Sequence, residues 1–188
     1  MIRILISTCI ILGFGCQSNS QVASNNLKRN TMNSSENKSR VYNTGDTSKV
    51  NLSDAEWRDI LSPEVYHIAR QKGTERPWTS PFEFSKDIGT YHCKACGNPL
   101  FQSDTKFDSG CGWPSFFQPI HKGAMKYIPD NSHGMERTEV ACGRCDAHLG
   151  HVFDDGPKPT GLRYCINGAI LAFEGTASTR NQKEENKD

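Results

Sequence analysis

The sequence predicts a mainly β protein, a mostly antiparallel β domain with one or two short helices at its N-terminal end. From Thr74 onward glycine and proline are frequent, and helical periodicity is absent. The short segments between these turn residues are rich in Val, Ile, Tyr and Phe, which favour strands. Upstream, Ser53 and Glu56 have the spacing of a helix capping box.

Individual helices and strands can be placed along the chain. The capping box predicts a first helix over residues 55–61, and Pro63 predicts the start of a second helix that ends at Gly73. Strands are predicted over residues 90–93, 99–102, 106–108, 125–128, 135–142, 152–153, 163–166 and 169–173.

The polar ends of the chain bound this domain. Residues 17–51 contain seven Ser and eight Asn and almost no apolar residues. Such a segment cannot bury enough surface to offset its ordering entropy, so it is predicted to be a disordered tether. The folded domain is predicted over residues 52–175, and residues 176–188 form a disordered polar tail.

The first sixteen residues have the pattern of a signal peptide. Arg3 precedes an apolar run over residues 4–14, which is too short to span a bilayer but has the length of a signal-peptide core. The run ends at Gly15-Cys16, which resembles a bacterial lipoprotein signal with Cys16 as the lipidated residue. Plain secretion and an uncleaved anchor are the alternatives. All three predict an extracytoplasmic protein, periplasmic or in the cell envelope, that touches the membrane only through its N-terminus.

Four of the eight cysteines form two Cys-x-x-Cys pairs, Cys93/Cys96 and Cys142/Cys145. Each pair follows a predicted strand end, and together they supply the four thiolates of a structural Zn²⁺ site. Two disulfides are the alternative, which an extracytoplasmic location favours. A disulfide within Cys-x-x-Cys is strained, and one metal ion explains both pairs, so one structural Zn²⁺ per chain is predicted.

Two further cysteines belong to neither pair. Cys165 lies between Arg163 and Asn167, downstream of two histidines. Because neighbouring cations stabilise the reactive thiolate, Cys165 is a candidate nucleophile; a buried strand residue is the alternative. Cys111 lies between two glycines, which suits a mobile resolving thiol or, alternatively, a buried cysteine in a tight turn.

Candidate acid–base groups follow the second cysteine pair. His148 and His151 are three residues apart, and the four cysteines already satisfy zinc. We therefore interpret these histidines as proton donors or acceptors near a thiolate, with hydrogen-bonded residues of a polar loop as the alternative. Asp155 could orient one of them or a water molecule. Trp113 is either a core residue or the wall of an apolar substrate pocket.

Five motifs together resemble one protein family. They are YHCKACGNPLF (91–101), FDSGCGWPSF (107–116), HGMER (133–137), CGRCDAHLGHVF (142–153) and GLRYCIN (161–167). In this order, over residues 52–173, they are similar to the B-type peptide-methionine (R)-S-oxide reductases. One departure is Gly168, where the family often has serine.

The resemblance implies a fold of two antiparallel sheets and an oxidoreductase that acts on a sulfur group with a disulfide as acceptor. The substrates implied are oxidised proteins that carry methionine (R)-sulfoxide. Cys165 would be the nucleophile, and Cys111 would resolve its sulfenic acid by forming a Cys111–Cys165 disulfide. A thioredoxin-like dithiol would then reduce that disulfide.

The resemblance also implies roles for the surrounding residues. His148 and His151 would assist proton delivery to the sulfoxide oxygen. The other pocket residues would be Asp155, Arg163 and Asn167, with Trp113 and Phe153 binding the substrate. The four paired cysteines, Cys93, Cys96, Cys142 and Cys145, would be the zinc ligands.

Two other classes of function compete with this one. A zinc-stapled β domain can be a non-catalytic binding module, but such a module needs neither Cys111 nor Cys165. A general disulfide oxidoreductase could use a Cys-x-x-Cys pair as its active site, which bound zinc would exclude. With 22 basic and 21 acidic residues, the charge gives no indication of a nucleic-acid partner, and none is predicted.

Overall fold

The computed structural model describes residues 40–176, and within them it confirms a mainly β fold of two antiparallel sheets. Strands and helices are numbered separately in chain order. The helices are α1 (Asp54–Ile60) and α2 (Pro63–Gln71), and the strands are β1 (Gly89–Cys93), β2 (Pro99–Gln102), β3 (Lys106–Phe107), β4 (Ser115–Phe116), β5 (Met125–Asp130), β6 (Arg137–Cys142), β7 (His148–Phe153), β8 (Arg163–Ile166) and β9 (Leu171–Gly175). One sheet has the order β2-β1-β9, and the other has the order β3-β4-β8-β7-β6-β5.

Both helices begin as the sequence predicts. At α1 the Ser53 hydroxyl accepts from the Glu56 N–H, and the Glu56 carboxylate accepts from the Ser53 N–H at 2.9 Å, which completes the capping box. The Ser62 hydroxyl accepts from the Val65 N–H at the start of α2. Helix α2 ends at Lys72, whose φ of 56° is left-handed, so a lysine rather than Gly73 takes the terminating conformation.

Two strands differ most from the prediction, while the ends of several others are shifted by one or two residues, and β9 begins at Leu171 rather than at Ala169. Strand β4, Ser115–Phe116, was not predicted, because two residues inside a turn-rich segment carry no periodic pattern. Strand β7 begins at His148 rather than at Val152, so the two histidines lie on a strand and not in a loop.

An aromatic core joins the two sheets. Tyr91 and Phe101 from the first sheet pack on Phe116 of the second, with ring centroids 5.0 and 4.1 Å apart. Phe101 also contacts Tyr164 on β8, at 5.8 Å between centroids. All four side chains are almost fully buried, so this cluster fixes β8 against the smaller sheet.

Residues 40–51, assigned to the disordered tether from the sequence, pack against the two cysteine pairs in the structure. The buried Arg144 guanidinium donates to the backbone carbonyls of Val41, Asn43 and Ser48 and to that of Cys96. Val41 and Val50 also pack against the hydrophobic core. The ordered part therefore extends about a dozen residues before the predicted boundary at 52, because these partners come from distant positions in the sequence.

Other sequence predictions lie outside the described residues. These are the signal peptide over residues 1–16 with its lipidation site Cys16, the tether as far as residue 39, and the tail from residue 177. Within residues 40–176, neither helix has both the length and the apolar character needed to cross a bilayer.

Candidate active site and metal centre

Cys165 lies on β8, an interior strand of the larger sheet. Its register partners are Ser115 on β4 and His151 on β7. Directly opposed residues of antiparallel strands have their Cβ atoms within about 5.5 Å of each other, so strand pairing alone brings a hydroxyl and an imidazole beside this thiol. Cys165 is partly exposed.

The loop before β4 brings Cys111 against Cys165. Gly110 and Gly112, at φ of 69° and 93°, both take left-handed conformations that favour glycine. The two Sγ atoms, Cys111 and Cys165, are 3.5 Å apart and are not bonded to each other. The Ser109 hydroxyl donates to the Cys111 sulfur at 3.0 Å.

The contact between these two thiols changes the pKa of each. The pKa of Cys111 is lowered to about 4 by the hydrogen bond from Cys165, against burial, and by hydrogen bonds from Ser109 and Ser115. The pKa of Cys165 is raised by its hydrogen bond to Cys111 and by burial, while Arg163 acts to lower it. This contact favours the thiolate at Cys111, although Cys165 is the predicted nucleophile. The two sites titrate as a pair, and transfer of one proton across the contact makes Cys165 the thiolate.

A β-bulge places both predicted histidines beside these thiols. On β7, His148 pairs with Ala141 and Gly150 pairs with Val140, so Leu149 is an extra residue in the strand. Residues three apart in a regular strand point to opposite faces, but one extra residue returns them to the same face. The rings of His148 and His151 accordingly lie 5.6 Å apart.

Each histidine is held by a carboxylate that sequence reasoning missed. Glu139 accepts from His148 Nδ1 at 2.8 Å, and Asp130 accepts from His151 Nε2 at 2.7 Å. Burial lowers the pKa of His148, while the hydrogen bond that His148 donates to Glu139 acts to raise it. Burial acts to raise the pKa of Glu139, but Lys72 and His148 outweigh it and the pKa is lowered. Hydrogen bonds from Ser132, then from His151, lower the pKa of Asp130.

These groups line a pocket of about 310 Å³. Of the residues predicted from the sequence, the pocket brings together Cys165, His148, His151, Asn167, Trp113 and Phe153. It also contains Thr74, His133 and Arg137, to which the sequence assigned no role. The motif HGMER could have indicated His133 and Arg137, since it was one of the five family motifs.

Asn167 and Trp113 are both attached to the segment after α2. The buried Asn167 amide accepts from the Thr74 hydroxyl at 2.8 Å and from the Glu75 N–H at 3.1 Å. It also donates to the Leu149 carbonyl at 3.1 Å. The Trp113 indole N–H donates to the Glu75 carbonyl at 3.3 Å. One short loop therefore orients two walls of the pocket.

Asp155 and Arg163 lie elsewhere than the resemblance implied. They line a neighbouring groove together with Cys111, rather than the wall that carries the histidines. Arg163 binds Asp155 through two hydrogen bonds of 2.8 Å, and its guanidinium lies 4.4 Å from the ring centre of Phe153. This ion pair turns the guanidinium toward Asp155, so Asp155 contacts Arg163 and neither histidine.

The four paired cysteines form a buried cluster between the sheets. Cys93 ends β1 in one sheet and Cys142 ends β6 in the other. All four sulfur atoms lie within 4.8 Å of one another, and the Cys93–Cys145 and Cys96–Cys142 contacts are 3.8 and 3.7 Å. A tetrahedron with Zn–S bonds of about 2.3 Å has edges of about 3.8 Å, so these thiols fit a zinc ion. Their burial also makes them poor candidates for exchange with a substrate disulfide.

Two thiols in contact beside paired imidazoles, on a β fold with a four-cysteine cluster, define a thiol-dependent oxidoreductase. The family model described as the SelR domain matches residues 61–175. Among curated proteins, the peptide methionine sulfoxide reductase MsrB of Agrobacterium fabrum is 61% identical over 126 residues, which cover 67% of this chain and 93% of that protein. The proteins of the same name from Pseudomonas putida and Leptospira interrogans are 60% and 58% identical over the same length, which covers 95% and 96% of them. The chain belongs to the peptide methionine sulfoxide reductase MsrB family.

Proposed function

We propose that this protein reduces the R epimer of methionine sulfoxide in oxidised proteins. Membership of the MsrB family supports reduction of methionine sulfoxide. The observation that carries the two-thiol chemistry is the 3.5 Å contact between the Cys111 and Cys165 sulfurs. Cys165 lines the pocket of the two histidines, and Cys111 lines the adjoining groove, so one sulfur faces a substrate and the other can receive the oxidised product.

In the first step the Cys165 thiolate attacks the sulfoxide sulfur. The sulfoxide oxygen ends on Cys165 as a sulfenic acid, and methionine leaves. Because a sulfoxide is a poor electrophile until its oxygen is protonated, an acid must lie beside the thiolate. His148 and His151 are in place for this, with Glu139 and Asp130 orienting their rings from behind.

Methyl and aromatic contacts give the pocket its preference for a methionine side chain. Trp113 and Phe153 supply flat apolar surfaces, while the Asn167 side chain accepts two hydrogen bonds and donates one within the protein. We therefore assign Asn167 a positioning role between β7 and the loop of Thr74 and Glu75. Arg163 acts on the thiol pair electrostatically, because its charge favours a thiolate at Cys165.

In the second step Cys111 resolves the sulfenic acid. Its thiolate attacks the Cys165 sulfur, the S–S bond forms, the S–O bond breaks, and the hydroxyl leaves with a proton as water. A dithiol of the thioredoxin class then reduces the Cys111–Cys165 disulfide. If the N-terminal segment is a lipoprotein signal with Cys16 as its acceptor, that donor must lie outside the cytoplasm; mass spectrometry of the mature N-terminus tests the lipid directly.

Zn²⁺ is proposed as the structural ion of the four-cysteine cluster. Cys93, Cys96, Cys142 and Cys145 would hold it, and a closed four-thiolate site supplies cross-linking rather than reaction chemistry. Because the four ligands come from both sheets, the ion would fix the distance between the sheet that bears Cys165 and its neighbour.

The test is consumption of each epimer of methionine sulfoxide by zinc-loaded protein with excess dithiol. We expect loss of the R form alone and none in Cys165→Ser. Cys111→Ser is the matched variant, and without external thiol it should release about one methionine per chain and then stop at the sulfenic acid. Turnover of neither epimer by folded, zinc-loaded protein would contradict the proposal and favour a binding module. Steady turnover of Cys111→Ser at the unmutated rate with a thioredoxin-like donor would remove Cys111 from the mechanism.

A further inference from the structure

We propose that residues 75–78 form a clamp that positions Cys111 for disulfide formation, with Trp78 as its main positioning residue. The proposal rests on the function proposed above, in which Cys111 resolves the sulfenic acid of Cys165. None of the five family motifs includes residues 75–78.

The clamp holds the two residues that follow Cys111. The Trp78 backbone N–H donates to the Gly112 carbonyl at 2.8 Å. The Trp113 indole N–H donates to the Glu75 carbonyl at 3.3 Å. Both hydrogen bonds join the segment after α2 to the loop before β4, so the C-terminal side of the Cys111 loop is fixed.

Close packing accompanies these hydrogen bonds. A Cβ atom at Gly112 would lie 2.7 Å from the Pro77 Cβ and 3.1 to 3.2 Å from two atoms of the Trp78 indole. The Gly112 φ of 93° also favours glycine. The loop backbone therefore lies directly on Pro77 and Trp78, with no room for a side chain between them.

Trp78 adopts a conformation that its own packing does not explain. Its φ of 67° is left-handed, which is unfavourable for a residue with a bulky side chain. Its ring is 53% exposed and stacks on Phe84, which is itself exposed, with centroids 6.0 Å apart. This conformation directs the Trp78 N–H at Gly112 and lays the indole against the same residue, so the contact with the Cys111 loop accounts for it.

The N-terminal side of the loop is held by hydrogen bonds within the loop, from the Gly110 N–H to the Asp108 carboxylate at 3.0 Å and from the Cys111 N–H to the Ser109 hydroxyl at 3.4 Å. Gly110 has a φ of 69°, and a Cβ placed there would meet no atom within 4 Å. The two sulfurs are 3.5 Å apart, while a disulfide requires about 2.05 Å, so Cys111 must move by roughly 1.5 Å. With Gly112 held by residues 75–78 and open space around Gly110, Cys111 can make this movement without leaving Cys165. The clamp thus raises the effective concentration of the resolving thiol at the sulfenic acid.

The experiment separates the two chemical steps in the full-length, zinc-loaded chain. Reduced protein is mixed with a peptide containing methionine (R)-sulfoxide, without external reductant, and quenched over time. Methionine release measures the first step, loss of free thiols measures disulfide formation, and a dimedone-type reagent traps the sulfenic acid. The variants are Trp78→Gly, which removes the ring and frees the backbone, and Trp78→Phe, which retains an aromatic ring. Phe84→Leu is the matched control, because it removes the ring that stacks on Trp78 and keeps Pro77 and Trp78, the residues that lie against Gly112.

We expect Trp78→Gly to release methionine within about twofold of the unmutated rate and to form the disulfide about tenfold more slowly, with sulfenic acid accumulating. Trp78→Phe and Phe84→Leu should form the disulfide at nearly the unmutated rate. If Trp78→Gly does not fold, Trp78→Leu, which keeps an apolar side chain but no ring, takes its place. Disulfide formation should then be slowed in Trp78→Leu as it is expected to be in Trp78→Gly. An unchanged disulfide rate in the Gly or Leu variant, or an equal slowing of both steps, would overturn the clamp. If the unmutated chain itself releases no methionine, the proposed function fails. If the unmutated chain forms the disulfide and Trp78→Gly forms it at the same rate, only the clamp fails.

Discussion

Replacement of Arg144 by methionine should release residues 40–51 from the four-cysteine cluster. The Arg144 side chain is 4% exposed and hydrogen-bonds four backbone carbonyls and the Asp46 carboxylate. Methionine fills most of the same volume but donates no hydrogen bond. The carbonyls of Asn43 and Ser48 can regain water if the segment detaches, whereas the buried Cys96 carbonyl loses a charged donor.

The expected loss follows from these contacts. A hydrogen bond to a charged group contributes about 1.5–3 kcal/mol to the free energy of unfolding. The carbonyls of the detached segment regain hydrogen bonds to water, so the total loss is smaller than the sum over all the hydrogen bonds of Arg144. We therefore expect destabilisation of about 3 kcal/mol. For a domain of this size each kcal/mol corresponds to about 4 °C, so Tm should fall by about 12 °C. In the unmutated protein the Lys49 ammonium donates to the Gly143 carbonyl beside the four-cysteine cluster. Detachment of residues 40–51 would expose this lysine, so trypsin should cleave after Lys49 much faster in the variant.

Arg70→Met is the matched control for this experiment. Arg70 on α2 donates to the carbonyl of Cys145, a member of the four-cysteine cluster, at 3.0 Å. Unlike Arg144, it therefore joins the cluster to α2 and not to residues 40–51. It should lower Tm by a smaller amount and leave cleavage after Lys49 slow. A Tm for Arg144→Met within about 2 °C of the unmutated protein, with unchanged cleavage, would refute the assigned role of Arg144.

Three further predictions concern the sulfur chemistry and Gly168. Gly168→Ser should lower the free energy of unfolding by about 1–3 kcal/mol, because the new Cβ would lie 1.8 Å from the Ser80 hydroxyl oxygen. Urea unfolding measures this loss. Adding Ser80→Gly to the same chain should restore most of the lost stability, and the absence of such a rescue would contradict this explanation. The hydrogen bond from Cys165 is the largest cause that lowers the Cys111 pKa to about 4, so iodoacetamide at pH 6 should label Cys111 rapidly. Labelling should be slower in Cys165→Ala, which has no donor at this position, because the Cys111 pKa then rises toward that of an ordinary thiol. Equal rates would show that the pair is not coupled. Native mass spectrometry should find one Zn²⁺ per chain, and removal of the ion should lower Tm. A metal-free protein with an unchanged Tm would contradict the structural role proposed for the four cysteines.

Local signals in the sequence accounted for several elements because the interactions behind them are local. The capping box at Ser53 joins residues three apart, and the proline after Ser62 fixes the start of α2. The Cys-x-x-Cys spacing likewise puts two sulfurs of one turn within reach of one ion. The glycine at residue 168, where the family often has serine, remained unexplained from the sequence, because the side chain that a Cβ there would meet is Ser80, far away in the chain.

The active-site geometry depended on pairings that no local pattern encodes. His148 and His151 share a face only because Leu149 is bulged against β6, and bulges have no signature of their own in this segment. Asp130 and Glu139 lie 21 and 9 residues from the histidines that they orient, so neither could be selected from its neighbours in the chain. Arg163 was expected to face the substrate pocket, and its ion pair with Asp155 turns it to the adjoining groove instead.

The sequence by itself determined the class of fold, the four-cysteine cluster and the family, because capping, turn chemistry and motif spacing act over a few residues. Only the tertiary structure decided that the Cys111 and Cys165 sulfurs come within 3.5 Å of each other, that carboxylates lie behind both histidines, and that residues 40–51 belong to the ordered domain. Each of these depends on contacts between residues far apart in the chain, whose partners are chosen by strand register and by the need to hydrogen-bond buried polar groups.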